Sequence, residues 1–94
     1  MIIIAGHSQY KTAVERDSAV AAFAEMTAQA RAQDGCIDFA ISADAADPER
    51  SNLLEIWRDE QAWKAWRKVA RAPRAKRGVA EVTLYRSEKA EKLS

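Results

Sequence analysis

The hydrophobic period of the chain changes repeatedly, and each change marks an element. Ile2, Ile3, Ile4 and Ala5 form an unbroken apolar run that continues through Gly6 to His7, as expected of a short strand covered on both faces. Thr12 and Glu15 then stand at the spacing of a capping box, and Val20, Phe23, Ala24, Thr27 and Ala30 recur at helical intervals. An alanine-rich helix is expected from about Ala13 to Gln33, ended by Asp34-Gly35. From Cys36 the period falls to two, with Ile37, Phe39, Ile41 and Ala43 on one face and Cys36, Asp38, Ala40 and Ser42 on the other. Asp44 to Arg50, containing Asp47-Pro48, reads as a turn into a third strand, Asn52 to Arg58, so these two strands should pair as a hairpin. Leu53 and Trp57 take one face of the third strand while Leu54 and Ile56 take the other, which predicts a sheet with neither face left in water.

Asp59 can cap a second helix, in which Ala62, Trp63, Trp66 and Ala70 share a face and Lys64, Arg67, Lys68 and Arg71 occupy the rest. Pro73 stops it. A basic linker, Arg74 to Gly78, leads to a last alternating strand, Val79 to Arg86, and a charged tail from Ser87 to Ser94. The order strand, helix, strand, strand, helix, strand predicts an α+β, ferredoxin-like βαββαβ fold, a four-stranded antiparallel sheet with both helices on one face. With apolar residues on both sides of the first and third strands, the simplest cover for the second face is an identical sheet from another copy, giving a two-fold homodimer.

Composition narrows the class. The 94 residues make a single domain, residues 1–94 with 87–94 as a polar tail, and a core this small gains from association. Cys36 is the only cysteine, so no internal disulfide can form, which favours a reducing, cytoplasmic setting. The opening apolar run lacks the basic flank and length of a signal peptide, and no run approaches the roughly 18 apolar residues of a membrane span. Fifteen Lys and Arg nearly balance fourteen Asp and Glu, so no nucleic-acid or membrane partner is expected.

Four segments carry a family resemblance: Asp34-Gly35-Cys36-Ile37-Asp38-Phe39, the Asp47-Pro48 turn, Glu55-Ile56-Trp57, and Asp59-Glu60-Gln61-Ala62. In this order and spacing, across most of the chain, they resemble the antibiotic biosynthesis monooxygenase superfamily. That resemblance implies a dimeric α+β barrel and, in many members, oxidation of quinols or polycyclic phenols by dioxygen without metal or flavin. A branch degrades haem, and other members have no established activity. Many relatives carry a histidine on the second helix where this chain has Trp66, and there is no histidine after His7, so neither the usual histidine role nor haem degradation is expected.

Cofactor-free oxidation of a phenol needs a proton acceptor, aromatic walls and a dry pocket. His7, with an ordinary pKa near 6.5, is the candidate base. Asn52 is placed to orient a carbonyl or hydroxyl, and Trp57, Trp63 and Trp66 are candidates for the pocket wall, with Trp57 mainly core. The expected partners are a second copy of the chain, a small aromatic molecule and dioxygen, with no cofactor. Glu55 and Asp38 could form an acid/base pair, but they read rather as structural carboxylates paired across a dimer interface with Arg58 or Arg86. Cys36 reads as a small buried hydrophobe, and the Arg67 to Arg77 basic stretch as a solvated face, since no aromatic residues interleave with its later part.

Overall fold

A computed structural model describes all 94 residues. Four strands, β1 (Ile2–Gln9), β2 (Cys36–Ala43), β3 (Arg50–Trp57) and β4 (Val79–Arg86), pair antiparallel in the order β2-β3-β1-β4. Three helices, α1 (Ala13–Ala22), α2 (Ala24–Arg31) and α3 (Glu60–Val69), complete the ferredoxin-like α+β architecture. No helix is long and apolar enough to cross a membrane.

The expected first helix is two. At Phe23 the backbone (φ −80°, ψ −2°) tightens, and its N–H is shared between the carbonyls of Ala19 and Val20, both at 3.2 Å. The direction persists, because the Thr27 N–H still donates to the Phe23 carbonyl at 2.9 Å. Thr12 caps α1 through its hydroxyl, which accepts the Glu15 N–H at 3.1 Å. The Glu15 carboxylate does not return the bond; it pairs with Lys76 Nζ at 3.2 Å. Arg16, 8% exposed, holds the β2–β3 turn by donating Nη1 to the carbonyls of Asp47 (3.1 Å) and Arg50 (2.9 Å). Each carbonyl also accepts a backbone N–H within the turn, Asp47 from Arg50 at 3.2 Å and Arg50 from Asp44 at 3.0 Å, so Arg16 occupies their second lone pairs and ties the turn to α1.

A second departure lies in β2, where the register passes from Cys36 opposite Trp57 to Asp38 opposite Ile56. Ile37 is the extra residue of this bulge, so it leaves the Phe39 face and stands 58% exposed. Gly35 opens the strand at φ +83°, where a Cβ would also meet Ala62 Cβ at 2.4 Å, so the residue must be glycine on both counts. α3 ends at Val69, earlier than Pro73 demands, and Ala70 is already extended (φ −62°, ψ 134°). The segment after it folds back over the sheet as a strap into β4.

The pleat decides which side chains meet the helices. Ile2 and Ile4, Phe39 and Ile41, and Leu53, Glu55 and Trp57 share the helix side, together with Val82 and Leu84 of β4. Trp57 and Phe39 are the largest fully buried side chains. Trp66 of α3 stacks on Trp57 (centroids 6.0 Å, planes 22° apart) and meets Phe39 edge-on at 6.0 Å. Such pairs add about 0.5–1.5 kcal/mol beyond the burial of their area. The opposite face carries Ile3, Ala5, Ala40, Leu54, Ile56 and Tyr85 with no element of the chain over it.

Truncating Trp57 to alanine should therefore cost roughly 3–5 kcal/mol of stability. Urea denaturation monitored by circular dichroism measures it, and a loss below about 1 kcal/mol would show that the aromatic cluster does not anchor the fold.

Candidate functional site

Between the helices and the sheet lies a cleft of about 340 Å³, in the range of small-molecule sites. Its walls come from every layer: Tyr10 after β1, Phe23 at the junction of α1 and α2, Met26 from α2, Phe39, Ile41 and Leu53 from the sheet, and Ala80 and Val82 from β4. The strap residues Ala72 to Gly78 form its rim. The Lys76–Glu15 ion pair at 3.2 Å ties that rim to α1. A neighbouring recess, lined by Trp63, Trp66, Arg67 and Ala70, shares Met26, Leu53, Glu55 and Val82 with the cleft. The two are lobes of one apolar groove with Glu55 where they meet.

Glu55 is held there by its own strand. Two residues on, Trp57 lies on the same face, and its Nε1–H donates to Glu55 Oε1 at 3.0 Å. Desolvation raises the Glu55 pKa above the ordinary 4.5, with the indole hydrogen bond and the Arg67 charge opposing in part. Arg67 lies on the lobe side and rests its guanidinium over the Trp63 ring, 5.2 Å from the centroid. Within the chain neither Arg58 nor Arg86 pairs with Glu55. Arg58 forks onto Asp34 at 3.2 Å and reaches Asp59 at 3.2 Å, while Arg86 holds Glu60 at 2.6 Å. Asp38 is on the opposite side of the sheet, in register with Ile56, so it forms no pair with Glu55 either.

The structure divides the residues picked from sequence into two groups. Trp63 and Trp66 line the groove; Trp66 is also core, 3% exposed. Trp57 is wholly buried and acts on the groove through Glu55. His7 and Asn52 face one another across β1 and β3 on the side away from the helices. The period of two that brings Ser8, Ser51 and Leu53 to the cleft turns their neighbours away from it, so neither His7 nor Asn52 reaches it. His7 Nε2 lies 3.6 Å from Glu81 Oε2 on that outer face. Asn52 donates Nδ2–H to Asp44 Oδ1 at 2.8 Å and accepts from Arg50 Nε at 2.8 Å, bracing the hairpin. Together with backbone donors of the turn, this hydrogen bond holds the Asp44 carboxyl down at about 2. Glu55 is the residue undervalued in sequence. Its signal was a charged side chain alternating with Leu53 and Trp57, on the face where burial is greatest.

Cys36 is partly buried against the core, and desolvation pushes its thiol pKa up, followed by the charges of Asp38 and Glu55. It is a packing residue rather than a nucleophile.

This arrangement, an antiparallel sheet with helices on one side and an apolar groove between, defines a ferredoxin-like domain. Residues 1–78 match the family model for antibiotic biosynthesis monooxygenase, and the chain belongs to that family. A Deinococcus radiodurans structure bearing the same family name is similar over 100% of this chain and 99% of its own, with 16% identity and a TM-score of 0.73. One from Nitrosomonas europaea, also bearing that name, is 21% identical over 93% of this chain and 98% of its own (TM-score 0.70). Rv0793 from Mycobacterium tuberculosis is 19% identical over 99% of this chain and 98% of its own (TM-score 0.66). At these identities the structural likeness establishes the fold. No curated protein sequence matches the chain.

The raised pKa of Glu55 has a defined effect on stability. Between its ordinary value of 4.5 and its raised native value, the native state binds more protons than the unfolded chain, so this group lowers stability as pH rises through that window. Glu55→Gln keeps an acceptor for Trp57 and removes the charge. Its urea midpoint should gain on the wild type's between pH 4 and pH 7, and an unchanged difference across that range would show that Glu55 is not desolvated.

Proposed function

We propose that this protein is a cofactor-independent monooxygenase acting on a small hydroxylated aromatic molecule, a phenol or quinol, held in the groove between helices and sheet. The observation that carries the reading is the groove itself, with apolar walls of about the right size for a fused-ring phenol and one carboxylate at its centre. Membership of the antibiotic biosynthesis monooxygenase family supports the reaction type. An electron-rich phenolate supplies dioxygen with electrons directly, so the protein must deprotonate it, orient it and keep water out. In the net reaction one oxygen atom enters the ring as a new carbonyl. The other leaves as water with two substrate hydrogens, and the four electrons lost by the phenol reduce dioxygen.

Purified, metal-stripped protein is expected to consume oxygen with hydroxylated naphthalenes or quinols, saturably, and to release the quinone. Val82 borders both lobes and is 47% exposed, so Val82→Trp should fill the groove and abolish uptake without unfolding the domain. His7→Ala, on the outer face, should leave the rate within about twofold. Oxygen uptake that survives Val82→Trp would place the reaction elsewhere.

The bare sheet face supports a homodimer as the working form. Ile3, Ala5, Leu54 and Ile56 make a continuous apolar strip on the two central strands, and a second copy would cover it by packing sheet on sheet. Sedimentation at micromolar concentration is expected to give twice the chain mass, and Ile56→Asp on that face should shift the protein toward monomer. A wild-type monomer would overturn the assembly.

A further inference from the structure

Glu55 is unusual among the charged residues of this chain in being turned toward the apolar groove. Its Oε1 is committed to Trp57 Nε1, whereas Oε2 engages no donor of the protein. Its Cα partner on one side is Phe39 and on the other Ile4, so the strands beside it contribute no charge on this face. The ionisable groups that face it are few. Arg67 comes from α3, the Cys36 thiol from β2, and Tyr10, Lys76 and Arg77 from the rim, while α2 sends Arg31 to the Phe39 carbonyl at 2.9 Å. Of these, the guanidinium groups and the Lys76 ammonium are hydrogen-bond donors only, and Lys76 is engaged by Glu15. Burial pushes the Cys36 thiol pKa up, which disfavours its thiolate. Ser8 and Ser51 complete the polar lining of the cleft with hydroxyls. A phenol in the groove therefore meets one carboxylate.

Resting on the proposed oxygenase reading, we infer that Glu55 is the catalytic base: its Oε2 takes the proton of the substrate hydroxyl while Trp57 fixes the carboxylate through Oε1. The phenol O–H bond breaks, the proton passes to the carboxylate, and the bonding pair stays on the substrate oxygen as a phenolate that dioxygen then oxidises. Arg67 stands where it compensates the negative charge that moves from carboxylate to substrate. A carboxylate desolvated in this way is a stronger base than one in water, which suits it to a proton held by a phenol. Trp57 in this scheme is a positioning residue, since it touches the carboxylate and not the substrate.

Two measurements test the assignment. In the first, 4-nitrophenol, whose phenol and phenolate forms absorb at different wavelengths, is bound to the protein and titrated with base. An ionised carboxylate beside the bound hydroxyl raises its pKa beyond what the apolar walls alone cause, and Glu55→Gln is expected to remove that added rise, so that the probe bound to the variant titrates at lower pH than the probe bound to the wild type. In the second, oxygen uptake with a dihydroxynaphthalene should fall by about 10²–10⁴-fold in Glu55→Gln, with Glu55→Asp recovering part of the loss. The wild-type rate should rise with pH along an acidic limb set above 4.5. Equal rates in wild type and Glu55→Gln, or a flat wild-type profile between pH 4 and pH 7, would overturn Glu55 as the base while leaving the oxygenase reading in place. Absence of uptake with every phenol would instead remove the oxygenase reading. The 4-nitrophenol titration, which needs no turnover, would then still decide whether the carboxylate faces a bound hydroxyl, and a probe that titrates alike in wild type and Glu55→Gln would overturn the placement.

Discussion

The packing of Trp66 against Trp57 and Phe39 is the contact on which the rest of the structure depends. It joins α3 to the β2–β3 side of the sheet and contributes much of the small core. Because this anchor lies toward one side, the helices do not close over β4, whose residues are mostly exposed. The space left between the anchored helices and the uncovered strand is the groove. A wider distribution of large side chains would have filled it, since protein interiors otherwise pack as densely as organic crystals. Alanine at Ala19, Ala30 and Ala62 lets the helices approach the sheet closely on the packed side.

Charge is distributed with the same asymmetry. The exposed guanidinium groups of Arg58 and Arg86 are satisfied by carboxylates on neighbouring loops and on α3, and Lys76 by Glu15. These pairs lie in water, where their role is to fix loops rather than to drive folding. Glu55 is the exception, a carboxylate in apolar surroundings with one indole donor and a cation across the lobe. Such a group opposes folding when ionised, and perturbed groups of this kind cluster at functional sites. The Asp44–Asn52–Arg50 network shows the opposite case, a carboxylate stabilised by donors and confined to bracing a turn.

Much of this was legible from residue order. The period-two stretches, the Thr12 and Asp59 caps and the Gly35 stop give the element order directly, because each reflects local backbone chemistry. The landmark segments led to the family for the same reason, as turn and strand-end residues answer local demands. Two local features escaped. The bulge at Ile37 and the break at Phe23 each depend on how the element meets its neighbours, and neither changes the apolar pattern that announces strand or helix.

The functional residues divide along the same line. That the third strand would carry aliphatic and aromatic residues on both faces was determined by sequence, and so was the wealth of tryptophan around it. Which face receives the helices is decided only when α1, α2 and α3 settle on one side, and that choice placed His7 and Asn52 outside the groove and Glu55 within it. The sequence also places Arg50 and Arg58 close to Glu55 along the chain. Only the register between strands and the route of the strap determine that Arg58 and Arg86 go elsewhere, leaving Glu55 without them. Alternation is a property of one strand, whereas sidedness and pairing are properties of the assembled sheet, since a shift of one residue exchanges its two faces.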